Sequence, residues 1–500
     1  LPLAGHVLLA FQRKKRDATV VLPAFGLFFI WATVALTQGR GTTISLALGL
    51  TGLLIYSARK LPFRPIAGLA LLFLSAYVVA NLALGGAVTD RFATLADPAD
   101  AAHPRWLIWR ESWRMLWDNP WWGIGIGNYY LAWPPYKHPD DGTLGFFVHN
   151  DYLQLWIEAG LPALLLLLAL LGAVFYATVR AIQSERLPTN AQIEIIAITC
   201  GLFALATHSF LDFNLYILPI TLVAGFLLGR WHSVVGVSLR VRYFNATLKN
   251  VLGLPAYRLV VLLIAAFPLS YLVALGTADI FYKRALGLAA EGRLPEADQY
   301  FVRSEALLPN GDHLYLAHAD LYRFVLTRSP LEETANRRAV YEMSMELLRQ
   351  AQAANPYRAL VHDIRGRLYQ AAADIAGEDW SSLAIAEYRQ ALALHPQLVR
   401  TRMMYAHLLF SLGDRRQARV VLEDGARYHY YPDPELLTYY GWLEHLMSDA
   451  GDRERAREFQ RRRQELEIAL ARLAPVRALG PQPAVMTESA PAGLSRFVAQ

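Results

Sequence analysis

GLPALLLLLALLGAVFYATVR, residues 160–180, carries no charge until Arg180. A helix needs about 20 mainly apolar residues to cross the hydrocarbon core of a bilayer. The stretch therefore reads as a membrane span. Six more stretches read the same way, some of them short: about 19–37, 43–58, 66–86, 191–210, 214–230 and 257–276. The whole chain is 54% hydrophobic and only 18% charged, but this average joins two unlike halves. Residues 17–276 hold the apolar runs, whereas 277–475 are rich in Ala, Leu, Glu and Arg and hold no spanning run. The predicted class is all-α, a polytopic transmembrane bundle of about seven spans followed by a helical-repeat domain. The chain begins at Leu1. LPLAGHVLLAF (1–11) followed by RKKR (13–16) reads as the tail of a further span, so additional N-terminal spans are expected.

Basic residues set the orientation. Arg13–Arg16 precede the first span, Arg59, Lys60 and Arg64 follow the second, Arg180 and Arg186 the fourth, and Arg230, Arg240, Arg242 and Lys249 the sixth. If all seven segments cross, these loops share one side, and the positive-inside rule makes that side cytoplasmic. Arg40, the long loop 87–150, the segment near His208 and everything after 276 then face outward. The net charge of +6 belongs largely to these loops, so no nucleic-acid partner is implied. The single cysteine, Cys200, lies in an apolar run and excludes a disulfide framework.

From Ala278 the pattern changes. Ala285, Gly292, Ala297, Ala306 and Pro309, then Ala386, Ala391 and Pro396, then Gly413, Ala418, Ala426 and Pro432 follow the small-residue and proline pattern of tetratricopeptide helix pairs. About four repeats fit between 277 and 475. They form a surface that serves either as a spacer or as a platform for a protein partner. Residues 476–500 are rich in Pro and Ala and read as a disordered tail.

The loop 87–150, too long for a simple connector, interrupts the transmembrane domain 1–276. Trp106, Trp109, Trp113 and Trp117 recur every three to four residues and predict an amphipathic helix over 105–117, lying at the membrane interface with its indole rings in contact with lipid. Gly123, Gly125 and Gly127 have no preceding strand and are read as a flexible turn, not a nucleotide fingerprint. Beyond His149, the residues Asn150, Gln154 and Glu158 recur every four and share a helix face. A polar stripe entering a membrane helix must face the bundle interior or a wet cavity; the alternative role is an interfacial cap. His208 and Asp212, also four apart, suit either chemistry or the pinning of a turn. The spacing fits no zinc motif, and Asp140-Asp141 in HPDDG reads as a solvated turn.

TQGRG (37–41), Arg105 and Trp109 ahead of NPWWGIGIGN (119–128), HNDYLQLWIEAGLP (149–162) and HSFLDF (208–213) occur in this order. Together, over about residues 20–232, they resemble the O-antigen ligase and polymerase family of bacterial membrane glycosyltransferases. The resemblance implies an inner-membrane enzyme of lipopolysaccharide or exopolysaccharide assembly. Such an enzyme moves a glycan from an undecaprenyl-diphosphate-linked donor to the hydroxyl of an acceptor glycan or lipid at the periplasmic face, without a metal or other cofactor. The family's periplasmic histidine falls on His149 and its arginines on Arg40 and Arg105. Imidazole titrates near neutral pH and suits proton abstraction from the acceptor. Arginine forks suit the departing diphosphate. Glu158 or Asp212 would orient an imidazole, with His208 also in the candidate set. Trp109 and Trp113, with Asn150 and Gln154, would meet the lipid-linked donor. Two other functions stay open: a protein O-oligosaccharyltransferase with a Ser or Thr acceptor, and a non-catalytic scaffold.

Overall fold

The computed structural model describes residues 1–12, 18–93, 98–184, 186–239, 256–331 and 334–477. The basic residues Arg13–Arg16 and Arg240–Lys249 and most of the predicted tail 476–500 lie outside them. The described residues are helical, with no strand. The first unit comprises residues 1–130 and 145–245; the second comprises 131–144 and 246–500.

In the first unit, α1 (Pro2–Gln12), α2 (Ala18–Leu36), α3 (Arg40–Ala58), α4 (Phe63–Ala83) and α9 (Thr189–His208) share one core. It is built from Leu8, Leu27, Trp31, Leu53, Leu69 and Ile193. A small residue permits a close α3–α9 crossing, since a Cβ on Gly49 would lie 2.8 Å from the Cys200 carbonyl oxygen. The second core joins α8 (Asp151–Gln183), α9 and α10 (Leu218–Leu239) through Val174, Ile195, Ile198 and Trp231. The opposite faces carry exposed apolar side chains, such as Leu166 and Phe175 on α8 and Phe226 on α10. Surface of this extent suits hydrocarbon and not water.

Six helices are long and apolar enough to cross a membrane: Arg40–Ala58, Phe63–Ala83, Asp151–Gln183, Thr189–His208, Leu218–Gly236 and Arg258–Ala290. Of the seven expected spans, the first falls on a shorter apolar helix, Val20–Leu36. The protein is a multi-pass membrane protein. Two boundaries differ from the sequence reading. The predicted span 160–180 is the latter part of α8, which begins at Asp151 and kinks at Gly160. Hydropathy misses its first turns because they carry the polar stripe. The predicted span 257–276 continues without a break into the first repeat helix as α11 (Ala256–Ala290).

The loop after α4 holds α5 (Ala87–Ala93), α6 (Pro98–Asp118) and the single turn α7 (Tyr129–Ala132). Ile108, Ser112, Met115 and Leu116 are the buried side of α6, while Trp106, Trp113 and Trp117 are exposed.

In the second unit, α11 pairs with α12 (Leu294–Leu307), α13 (Asp312–Arg328) with α14 (Thr334–Ala354), and α15 (Ala359–Ala371) with α16 (Trp380–Leu394). The series ends with α17 (Val399–Ser411) on α18 (Arg415–Gly425) and α19 (Glu435–Asp449) on α20 (Arg453–Arg477). These are tetratricopeptide-like pairs. Ala285, Ala297, Ala319, Ala351, Ala391 and Ala406 are fully buried and let the helices approach closely. Buried arginines tie these helices together. Arg337 donates to the carbonyls of Leu326, Ser329 and Ala371 and to Asp374. Arg402 donates to the carbonyls of Val421 and Pro396 and to Asp424. This unit also takes in residues 131–144, where the His429 backbone N–H donates to the Pro139 carbonyl at 2.7 Å.

Candidate functional site

The start of α8 is built around His149, one of two non-glycine residues with positive φ among the described residues (φ 56°). Such a backbone persists only where its neighbours are fixed. On one side, Val148 donates its N–H to Gln154 Oε1 at 3.1 Å and its carbonyl accepts from Trp109 Nε1 at 3.0 Å. On the other, the Asn150 side chain caps α8 by accepting from the N–H groups of Tyr152 and Leu153. Asp151 ties the same turn to the chain after α9: its N–H donates to the Ser209 carbonyl at 2.8 Å, and its Oδ2 accepts from the Leu215 N–H at 3.1 Å.

Glu158 is held apart from the imidazoles. Its buried carboxylate accepts from the N–H groups of Gly127 (2.9 Å) and Tyr129 (3.1 Å), the Tyr216 hydroxyl (2.8 Å) and Gln154 Nε2 (3.3 Å). Glu158, one of two carboxylates expected to orient a histidine, makes a different set of contacts and anchors the glycine-rich turn. That turn packs backbone against backbone. Ile124 and Gly125 donate to the carbonyls of Ile157 and Glu158. A Cβ on Gly123 would lie 2.6 Å from Glu158 carbonyl atoms, and one on Gly160 2.1 Å from the Trp121 oxygen. The glycines fit the turn into the α8 kink, so the reading of a flexible turn is corrected.

Asp212 is the carboxylate that meets His149. Its Oδ1 lies 3.5 Å from His149 Nδ1 and its Oδ2 3.9 Å from His208 Nε2. The His149 and Asp212 side chains are each 32% exposed, so they sit at an accessible surface. Burial works to raise the Asp212 carboxyl but is outweighed. His149, the Phe213 N–H and the charges of Arg105 and His208 hold it below the usual carboxylate range. Arg105, remote in sequence, therefore contributes its charge at this position. Phe213 adds a ring edge to the imidazole of His149 (5.1 Å) and stacks on Phe147 at 4.1 Å.

His208 is engaged at both nitrogens. Nε2 lies 3.0 Å from Thr42 Oγ1 and Nδ1 3.0 Å from Asn214 Oδ1. The bond to Thr42 fastens the first turn of α3 to the Ser209–Asp212 turn. Gly41 allows this close fit, its Cβ position lying 3.2 Å from Leu211 and 3.6 Å from the His208 ring. Arg40 opens that turn, after Gln38 with φ 55° and the N-cap Gly39, which makes no side-chain cap. The α3 N-terminus and its positive dipole end thus lie beside His208.

The structure therefore brings Arg40, Arg105, His149, His208 and Asp212 to one region, and puts Asn150, Gln154 and Glu158 in its framework. Sequence reasoning missed Thr42, Phe213 and Asn214, though all three lie within or beside the motifs that contain Arg40 and Asp212. Among the described residues, no group of three or more His, Cys, Asp or Glu side chains could hold a metal ion.

Trp106, Trp109, Trp113, Trp156, Tyr152 and Phe210 line an almost wholly apolar cavity of about 580 Å³, with Asn150 and Arg110 at its margin. The Trp113 and Trp156 rings meet edge to face at 5.8 Å, and Trp156 Nε1 donates to the Pro120 carbonyl. The tryptophans of α6 thus form one wall of a cavity whose other wall is α8.

Comparison with curated proteins finds no match. Among solved structures, the chain is similar to the crystal structure of MamA (17% identity, TM-score 0.26, covering 37% of this chain and 95% of that one). It is also similar to yeast Tom70 (10% identity, TM-score 0.25, covering 91% and 99%). The O-antigen ligase family model matches residues 25–168, a span that includes Arg40, Arg105, His149 and the tryptophan helix. That match is confined to residues 25–168, and it supports a glycosyl-transfer role in glycan assembly.

Proposed function

We propose that this protein transfers or polymerises a glycan from an undecaprenyl-diphosphate-linked donor onto an acceptor hydroxyl at the periplasmic face of a bacterial inner membrane. The observation that carries this reading is the His149–Asp212 pair at an accessible surface, with the charge of Arg105 acting on it. In this mechanism Asp212 keeps the proton of His149 on Nδ1, leaving Nε2 as the base. The acceptor oxygen attacks the anomeric carbon and its proton passes to Nε2. The bond from that carbon to the diphosphate oxygen breaks, and the diphosphate leaves with one more negative charge. Arg40, at the dipole end of α3, and Arg105 offset that charge. His208 acts as a positioning residue through Thr42 and Asn214. The apolar cavity beside Trp109 and Trp113 suits the isoprenoid portion of the donor.

Two experiments test the proposal. His149→Ala in the full-length protein should insert normally and lose about a hundred- to ten-thousandfold in transfer from purified lipid-linked donor; half the wild-type rate would reject His149 as the base. Reporter fusions after Ala101 and Gly377 should be active only with a periplasmic reporter such as alkaline phosphatase. Activity of a cytoplasmic reporter at either point would overturn the orientation.

A further inference from the structure

The second unit contains a polar pocket that the transfer chemistry does not use. Segment 131–144 forms one wall and the loops before α17 and α19 form the other, enclosing about 400 Å³. That volume lies within the roughly 300–1,000 Å³ range of small-ligand sites. The segment is fixed in place. Lys137 donates to the Thr143 carbonyl, the Thr143 N–H donates to Asp141 Oδ1 at 2.8 Å, and Pro139 accepts from the His429 N–H. Asp141, expected as part of a solvated turn, is only 2% exposed.

The lining combines aromatic and hydrogen-bonding groups. Tyr431 contributes an exposed ring, while Arg400, Glu435, Lys137 and His395 contribute polar groups. Arg400 Nη2 and Glu435 Oε1 pair at 2.5 Å, their side chains 32% and 39% exposed. Two buried polar atoms of the lining, Thr143 Oγ1 and His395 Nδ1, have no hydrogen-bond partner. Such atoms are normally met by water or ligand. Burial and the nearby Lys137 charge push His395 down to about 4, so it is neutral near pH 7. The remaining charges balance, Lys137 and Arg400 against Asp433 and Glu435. Balanced charge, ring faces and unsatisfied neutral donors and acceptors suit a polyhydroxylated ligand better than a polyanion or an acidic peptide. Sugar rings present apolar C–H faces to aromatics and hydroxyls to forked polar pairs.

We infer that this pocket is an oligosaccharide-binding subsite that holds the acceptor glycan or the growing product. The inference rests on the glycan-transfer reading above. In sequence, Leu144 precedes His149 by five positions.

The test uses the full-length chain in detergent and oligosaccharide fragments prepared from the source organism's own surface polysaccharide. Saturation-transfer NMR reads binding, and a lipid-linked donor assay reads transfer rate and product length. Tyr431 is 46% exposed, so Tyr431→Ala should leave the fold intact; Glu435→Gln is a second, near-isosteric variant. Both should weaken fragment binding about five- to tenfold and shorten the products, with the per-transfer rate at saturating acceptor unchanged. Equal binding by wild type and both variants would overturn the inference, as would peptides from the organism's envelope proteins binding through Tyr431 where the fragments do not. If the wild type binds fragments through Tyr431 yet transfers nothing, the transfer reading fails while the binding site stands, so the two failures are distinguishable.

Discussion

Replacing Asp212 with Asn removes one charge and almost no volume, and so isolates what the carboxylate does for His149. The framework around His149 does not depend on that charge: Val148 is held by Gln154 and Trp109, and α8 is capped by Asn150. An amide oxygen can still accept the Phe213 N–H, which Asp212 Oδ1 now does at 3.0 Å. What is lost is the attraction between the carboxylate and the imidazolium formed as the acceptor proton is taken. At the 3.5 Å His149–Asp212 separation this amounts to about 1–5 kcal/mol for effective dielectrics between about 80 and 20. Both side chains are one-third exposed, so solvent screening favours the lower part of that range. The expected loss is therefore about ten- to a hundredfold in kcat, with little change in KM for the donor. The assay is transfer from purified lipid-linked donor by full-length protein, with Asp212→Glu as the variant that restores part of the rate. An Asn variant retaining more than half the wild-type rate would refute the role of Asp212 in the mechanism.

Arg40→Lys keeps the charge but loses the planar fork, so its transfer rate should fall nearly as far as that of Arg40→Ala; EDTA should leave the wild-type rate unchanged, and inhibition reversed by a divalent ion would move the chemistry to metal assistance. Gly160→Ala places a Cβ 2.1 Å from the Trp121 oxygen at a φ of 77°, and should destabilise the protein by more than about 3 kcal/mol. Thermal unfolding in detergent checks this, with Gly172→Ala, which meets nothing within 4 Å, as the control. In the repeat unit, burial works to lower His318, but Glu305 (2.8 Å) and Asp298 (2.9 Å) outweigh it and raise its pKa. A raised folded-state value means its stabilisation is complete below the unfolded value of about 6.5 and is lost as pH rises through the folded value. Hydrogen-exchange protection of residues 298–322 in the full chain should therefore fall as pH rises above about 6.5, and His318→Gln should flatten that dependence.

The membrane character of the chain was legible from sequence because span length and lack of charge are local properties set by bilayer thickness. The repeat pattern was legible because small residues must recur wherever helices pack closely, as Ala297, Ala391 and Ala418 do. The four motifs resemble those of a family in their order, which made Arg40, Arg105 and His149 candidates without any geometry. Sequence alone could not decide which carboxylate serves the histidine. Glu158 and Asp212 are both near an imidazole in the chain, and only packing shows that backbone N–H groups and Tyr216 saturate Glu158 while Asp212 faces His149. The glycine-rich turn was misread as flexible because its fit against the Gly160 kink involves main-chain atoms from 35 positions away, and hydropathy is blind to such contacts. The tryptophan period fixed a helix, but which face packs inward was decided by Ile108, Ser112 and Met115. The docking of residues 131–144 within the repeat unit was likewise invisible: a hydrogen bond between His429 and Pro139 spans 290 positions, and no local pattern records a partner so far along the chain.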